Sequence, residues 1–407
     1  MYPWPPIGEN IARLRALADL TQEELAEKAD VSVDLIRRLE QSSRLSARIT
    51  SLYHIANALD VSLSVLLAQP NVLRPSKHDQ EQNGILAVRE ALTPVKGDVS
   101  RTDEEPEVLS AAELQRSAQE GWRLYRSGKL SALAALLPEL ISAGELTTQE
   151  LTGEKRAGAF AALADVYQVT AVLVTQLSHD DLGYIAAQKA IATADCSNDQ
   201  NLQAITFGNL SWVLLRQGRL AAAEQVALAK AKDLEPSFSQ ATAVELSVWG
   251  WLLKSGMTAA SRNDKPAQAA DLLSLIQAVA HRVGEDRQYY SMVFGPTTVA
   301  MQAVAFAVER GDSGQALELA QHVPTTGKLP ITVKARHLLD VAHAQCLENK
   351  NVDALTSLLE VRELAAEWMR YQVLAREITR ALLTKQGATR SRLPGLRELA
   401  TFLGVAD

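Results

Sequence analysis

The chain has 407 residues, with 41 basic against 48 acidic side chains and a formal net charge of −7. Hydrophobic residues make up 47%, too many for a disordered chain, and the length allows two to four domains at roughly 100–200 residues each. Aromatics are only 5%, and the abundance of Ala and Leu favours helix over sheet. Two cysteines, Cys196 and Cys346, exclude a disulfide framework and do not stand in zinc-ligand spacing, which points to the reducing cytosol. Residues 1–20 hold no apolar run of the secretory kind, so no leader is expected there.

Short capped helices come first. A helix is expected from Ile7 to Leu20, with Ile11, Leu14 and Leu17 on one face. Thr21-Gln22-Glu23-Glu24 reads as a capping box opening a second helix through Ala29. Asp30-Val31 turns the chain, and Ser32 caps a third helix through Gln41. A fourth covers Thr50–Leu59 and a fifth Ser62–Leu67. On the third helix, Ile36, Leu39 and Leu35 share the inward face. Asp34, Arg37, Arg38 and Gln41 share the outward one, with Val33 on the margin. Arg can fork to guanine, Gln to adenine, and Asp can accept from cytosine, so this face suits a major groove. Two adjacent surface arginines are also common on a merely solvated face.

The stretch from Thr21 to Glu40, with Ala56, Leu59, Val61, Ser62 and Leu66 behind it, resembles the Xre-type helix-turn-helix of lambda-like phage repressors. The resemblance covers about 60 of the 407 residues. It implies a five-helix DNA-binding domain over residues 1–69. It assigns phosphate contact to Gln22, base reading to Val33, Asp34 and Arg38, and phosphate or groove-edge contact to Ser32, Gln41, Arg44 and Arg48. Arg15 and Glu40 match a structural ion pair between the first and third helices. Asp30 and Ser42 stand where the family usually has Gly; Asp tolerates a left-handed turn, and a longer loop is expected after Ser42. Residues 1–75 carry net −1, but residues 35–59 set four arginines against Glu40, for +3. Non-specific affinity for double-stranded DNA is therefore modest, which favours a homodimer reading two half-sites.

Residues 70–109 read as a polar linker with Pro70, Pro75, Pro94, Gly97 and Pro106, and with helical periodicity from Ile85 to Leu92 as of a docked helix. Residues 110–407 repeat. A turn-forming residue followed five positions later by Ala recurs at Asp181/Ala186, Gly218/Ala223, Asp264/Ala269, Gly311/Ala316 and Asn349/Ala354, with Gly128/Leu133 as a weaker first copy. The spacing suits a helix-turn-helix α-solenoid, the Ala letting one helix approach the other. Ser110-x-x-Glu113 and Thr147-x-x-Glu150 read as capping boxes. Phe207, Leu210, Ser211, Leu214, Gly218, Ala223 and Pro236 resemble a tetratricopeptide repeat. The fold expected is all-α, a lambda-repressor-like head followed by a tetratricopeptide-like α-solenoid.

An Xre-type head on such repeats resembles the peptide-sensing quorum regulators. That resemblance implies a dimerising solenoid whose concave face holds a peptide or small-molecule effector. Asn209, Trp212 and Arg216 share a helix face, and Tyr289, Tyr290 and the Trp249/Trp251 pair are aromatic candidates, against ordinary packing roles for each. Neither a metal nor a cofactor is expected: His337 and His343 are six apart, and His179-Asp180-Asp181 reads as a solvated turn. No phosphate-binding glycine motif is present. Gly311-Asp312-Ser313-Gly314 copies a serine-protease string but reads as an interhelical turn with Asp312 as cap, so no enzyme is expected. Gln288 to Val308 carries no formal charge over 21 residues, yet its polar residues and Gly295-Pro296 make it a core helix starting near Pro296 rather than a membrane span. The expected place is the cytoplasm, at the nucleoid. An alternative of another class is an interaction scaffold whose repeats dock a partner protein while the head tethers it to DNA.

Overall fold

A computed structural model of the chain describes residues 7–18, 20–41, 49–59, 61, 66, 80–95, 108–290, 292–324, 329–389 and 393–405. They divide into two compact units, residues 1–79 and residues 80–405. Apart from one two-stranded hairpin, every regular element among them is a helix.

The first unit contains α1 (Ile7–Leu17), α2 (Gln22–Lys28), α3 (Val33–Glu40) and α4 (Ile49–Ala58). The Thr21 hydroxyl accepts from Glu24 N and the Glu24 carboxylate accepts from Thr21 N, completing the expected box at the start of α2. Asp30 takes φ 50, the left-handed turn that its glycine-like position requires. Ser32 accepts from Leu35 N and opens α3. Ile11, Leu25, Ile36, Leu39, Ile55 and Leu66 make the core, all 1% exposed or less. The expected helix Ser62–Leu67, Ser42, Arg44 and Arg48 lie outside the described residues, Leu66 excepted.

The second unit opens with α5 (Gln80–Leu92), whose Ile85, Val88 and Leu92 enter its main core. Six antiparallel pairs follow: α6 (Ala111–Arg126) with α7 (Leu130–Glu150), α8 (Gly153–Gln176) with α9 (Asp180–Ala194), α10 (Gln200–Arg216) with α11 (Leu220–Asp233), α12 (Ala243–Arg262) with α13 (Pro266–Val283), α14 (Pro296–Glu309) with α15 (Ser313–Gln321), and α16 (Ile331–Leu347) with α17 (Asn351–Arg370). Strands β1 (Arg287–Tyr289) and β2 (Met292–Phe294) form an antiparallel hairpin between the fourth and fifth pairs, with Tyr289 opposite Met292. α18 (Val373–Thr389) and α19 (Leu396–Phe402) close the chain.

One left-handed residue turns each pair: Gly128, Ser178, Gly218, Asp264, Gly311 and Asn349, with φ between 59 and 80. Five positions on stand Leu133, Gly183, Ala223, Ala269, Ala316 and Ala354, all buried where the second helix meets the first. The repeat expected at Asp181/Ala186 is thus set three residues earlier, at Ser178/Gly183. A Cβ on Gly183 would come within 2.0 Å of Thr175 Oγ1, so this crossing is closer than alanine allows. In the third pair the Ser211 hydroxyl donates to Ala223 O at 2.8 Å and pins the crossing. Ser178 lacks the short carbonyl side chain that eases a left-handed turn. Ser178→Gly is therefore expected to stabilise the unit by about 0.5–1 kcal/mol, the relief of strain less the glycine's added chain entropy. An unchanged or lower urea midpoint would contradict it.

Thr242-x-x-Glu245 forms a capping box that the sequence reading missed, and Ser110-x-x-Glu113 forms the expected one. Thr147-x-x-Glu150 does not: Thr147 lies inside α7, fully buried, and its hydroxyl accepts from Leu109 N. Asp312 caps α15 by accepting from Gln315 N, so the protease-like string is a turn. The uncharged Gln288–Val308 stretch is the hairpin followed by α14, which begins at Pro296. Among the described residues, α7 and α8 are long and apolar enough to cross a membrane; 78% of the apolar window of α8 is core inside the unit.

The first helices of successive pairs touch one another from α6 through α8, α10, α12 and α14 to α16, and α16 returns to contact α6. The Thr332 hydroxyl lies 3.4 Å from Arg126 O at this junction. Beside it the Ser131 backbone and hydroxyl both donate to Glu367. α17 kinks at Ala365 (φ −148, ψ 58), where Ala365 and Trp368 meet the Gly128 turn. The six pairs therefore close into a ring; the main apolar core joins α5 and the first three pairs to the sixth pair and the closing helices, while the fourth and fifth pairs have cores of their own.

Candidate DNA interface and effector cavity

In the first unit the outward face of α3 is as the helical wheel requires: Asp34, Arg37, Arg38 and Gln41 are exposed, Val33 is half-buried, and Ile36 and Leu39 are buried. Arg38 pairs with Asp34 at 2.9 Å and Arg37 reaches Glu23 at 3.9 Å. All four side chains are more than half exposed, so these pairs contribute under about 1 kcal/mol and exchange cheaply for other partners.

Behind that face, Arg15 forks onto Glu40, Nε to Oε1 at 2.8 Å and Nη2 to Oε2 at 2.9 Å, while Nη1 donates to Leu20 O. Gln22 Nε2 also donates to Glu40 Oε2, at 2.6 Å. Burial pushes the Glu40 carboxyl up, but the bonds from Arg15 and Gln22 and the Arg15 charge outweigh it and hold it below the usual carboxylate range. The Gln22 amide, assigned to phosphate by resemblance, is thus committed to Glu40 here. Ser32 spends its oxygen on the α3 cap and keeps its proton to donate.

In the second unit the residues expected to bind an effector do not form one site. Asn209 is 6% exposed and donates to Gln168 Oε1 at 2.7 Å, a core hydrogen bond rather than an open recognition group. Trp212 packs half-buried against the main core. Arg216 is ringed by protein; burial lowers its pKa, Asp180 counters, and Arg262 and Arg336 repel it. Tyr289 packs against the core of the fourth pair, and Trp249 donates to Ala231 O.

Tyr290, by contrast, lines a cavity. It sits at the hairpin tip with φ 51, and its hydroxyl lies 3.0 Å from both Asp199 carboxylate oxygens. The space beside it measures about 500 Å³ and is lined by Trp122, Arg126, Asp165, Asp199 and Gln288 among others. Asp199 also caps α10, accepting from Asn201 N and Leu202 N. Asp165, 6% exposed, accepts from Gln115 and Gln168. Burial pushes its carboxyl up to about 6 against the Gln115 bond and the Arg126 charge. Burial and then Asp199 push the Tyr290 hydroxyl up to about 12. The sequence reading missed these residues although one signal was present: Asp165 is the one formal charge between Arg156 and Asp180. A lone carboxylate in so apolar a helix needs partners or a ligand.

Residues 11–66 match the family model described as Helix-turn-helix. The first unit thus carries a helix-turn-helix domain, the module of a DNA-binding regulator. No curated protein matches the chain. Among solved structures, a Rap protein complexed with competence and sporulation factor is similar at 11% identity and a TM-score of 0.44, over 72% of this chain and 87% of that one. Pseudomonas aeruginosa pilF is similar at 18% identity and 0.34, over 66% and 98%. Bacillus thuringiensis PlcR in complex with the peptide PapR7 and DNA is similar at 11% identity and 0.34, over 88% and 98%.

Proposed function

We propose that the chain is a cytoplasmic, dimeric, sequence-specific transcription regulator whose tetratricopeptide-like ring binds an effector. The observation that carries this is the exposed Asp34, Arg37, Arg38 and Gln41 face of α3, backed by a buried Ile36–Leu39 stripe inside a domain that matches the helix-turn-helix family. Such a face enters a major groove with side chains matched to guanine, adenine and cytosine edges. Val33 reads from the helix start, while Gln22, Ser32, Arg44 and Arg48 hold phosphates; Gln22 does so after releasing Glu40. The +3 balance of residues 35–59 gives one head weak grip at physiological salt, and two heads on a pseudo-palindrome make up for it. Effector binding in the ring biases the spacing of the heads by favouring one of two states.

Selection of bound duplexes from a random pool tests the reading. A pseudo-palindrome with half-sites one or more helical turns apart is the expected result, and no enrichment over scrambled duplex refutes it. On the selected site Arg38→Ala is expected to weaken binding about 10–100-fold, the loss of one good bidentate base contact. Equal affinity on selected and scrambled duplex by the unmodified protein would end the specific-reader reading.

A further inference from the structure

We propose that the cavity closed by Tyr290 is a subsite for a protonated amine, with Asp165 and Asp199 as its counter-charges. The inference rests on the reading of the ring as effector-binding and gives that effector a chemistry. Among the described lining residues two carboxylates stand against one cation, Arg126, so these lack one positive charge. Burial makes the deficit costly: it pushes the Asp165 carboxyl up to about 6, with the Asp199 charge adding to the rise, although Gln115, Gln168, Arg126 and Trp122 all face it. An arriving ammonium removes that cost, since an opposite charge within a few ångströms favours the ionised carboxylate.

Donors stand beside the acids. Trp122 is 5% exposed, and its buried Nε1 turns to Asp165 as one of the contacts that hold that carboxyl down. Arg126 Nη1 is buried with no hydrogen-bond acceptor. Buried donors of this kind cost free energy unless something fills them. A carbonyl next to the amine answers the Arg126 donor, as in a peptide's first residue. Tyr290, at a left-handed φ in the hairpin, lines the same cavity and holds Asp199 through its hydroxyl, while Asp199 Oδ1 also accepts from Asn201 N and Leu202 N and Oδ2 keeps the freer lone pairs.

Calorimetric titration of the full chain tests this with three probes: leucyl-leucine amide, its N-acetyl derivative, and 1,4-diaminobutane. At least one free amine is expected to bind saturably. Acetylation is expected to cost the dipeptide about tenfold or more, as loss of a charge-assisted hydrogen bond implies. A tighter dipeptide amide points to a peptide source and a tighter diamine to a polyamine source; both uphold the subsite. Asp165→Asn and Asp199→Asn are expected to lower amine affinity about tenfold or more by the same loss. Asn is as good a helix cap as Asp, so Asp199→Asn keeps α10 folded even if Asp165→Asn loosens the core. Equal binding of the acetylated probe, unchanged binding by both variants, or no saturable amine binding overturns the subsite. A parallel DNA titration separates the two readings. Specific DNA binding without amine binding removes the subsite and leaves the regulator; amine binding that leaves DNA affinity unmoved upholds the subsite and removes the effector role.

Discussion

Glu40→Ala is expected to destabilise the first unit by about 3 kcal/mol, because one carboxylate ties three elements together and its loss strands a partly buried guanidinium. Arg15 and Gln22 both donate to it, from α1 and α2, and its own helix is α3. Its side chain is 7% accessible and that of Arg15 is 20%, so solvent screens the pair little. A domain of about 60 residues has only about 3–9 kcal/mol in hand, so this loss is a third or more of its stability and is expected to lower its unfolding midpoint markedly. Thermal unfolding followed by near-ultraviolet dichroism reads the loss, and Glu40→Gln, which keeps the shape, is expected to lose less. An unchanged midpoint in both variants refutes the network's role. The pH dependence has a defined sign. Glu40 titrates below its ordinary 4.5, so its contribution is complete above that value and fades as pH falls through the depressed one.

Trp368→Ala is expected to cost the second unit about 3–5 kcal/mol, the usual range for emptying a tryptophan site in a core. Trp368 is 4% exposed and stands where the kinked end of α17 meets the Gly128 turn of the first pair. Because it joins the last pair to the first, its loss is also expected to raise hydrogen exchange in α6 and α16 above that in α12. Uniform exchange with an unchanged urea midpoint rules out this role for the side chain.

Local signals were legible where one helix decides the outcome. The wheel of α3 sorted Ile36 and Leu39 from Arg37 and Arg38 because burial on a short amphipathic helix follows the 3.6-residue period. Asp30 was readable as a left-handed turn because Asp pays little for that conformation. Reading failed where tertiary context overrides local chemistry. Thr147 and Glu150 have the spacing of a cap, yet the helix runs through them because Thr147 is spent on Leu109 N. Ser178 gave no sign of its positive φ, and Asp181 was the more turn-like residue nearby. The cavity was invisible for another reason: Asp199 and Tyr290 are 91 residues apart and meet only because the ring curves. Asn209 has the polarity of a recognition group but lies buried on Gln168, a matter of which face of α10 the neighbouring pair covers.

The return of α16 to α6 changes how the repeats must assemble. In an open array each unit senses only its neighbours, and an end can fray or grow by itself. Here Thr332 meets Arg126 across 206 residues, and Ser131 meets Glu367 across 236. Contacts so distant in sequence slow folding, since the chain entropy of closing the long loop is spent before the contact forms. On the ribosome the opening pair lacks its seal until the sixth has been synthesised. Removing the last pair is therefore expected to unseat the first as well, instead of merely fraying one end.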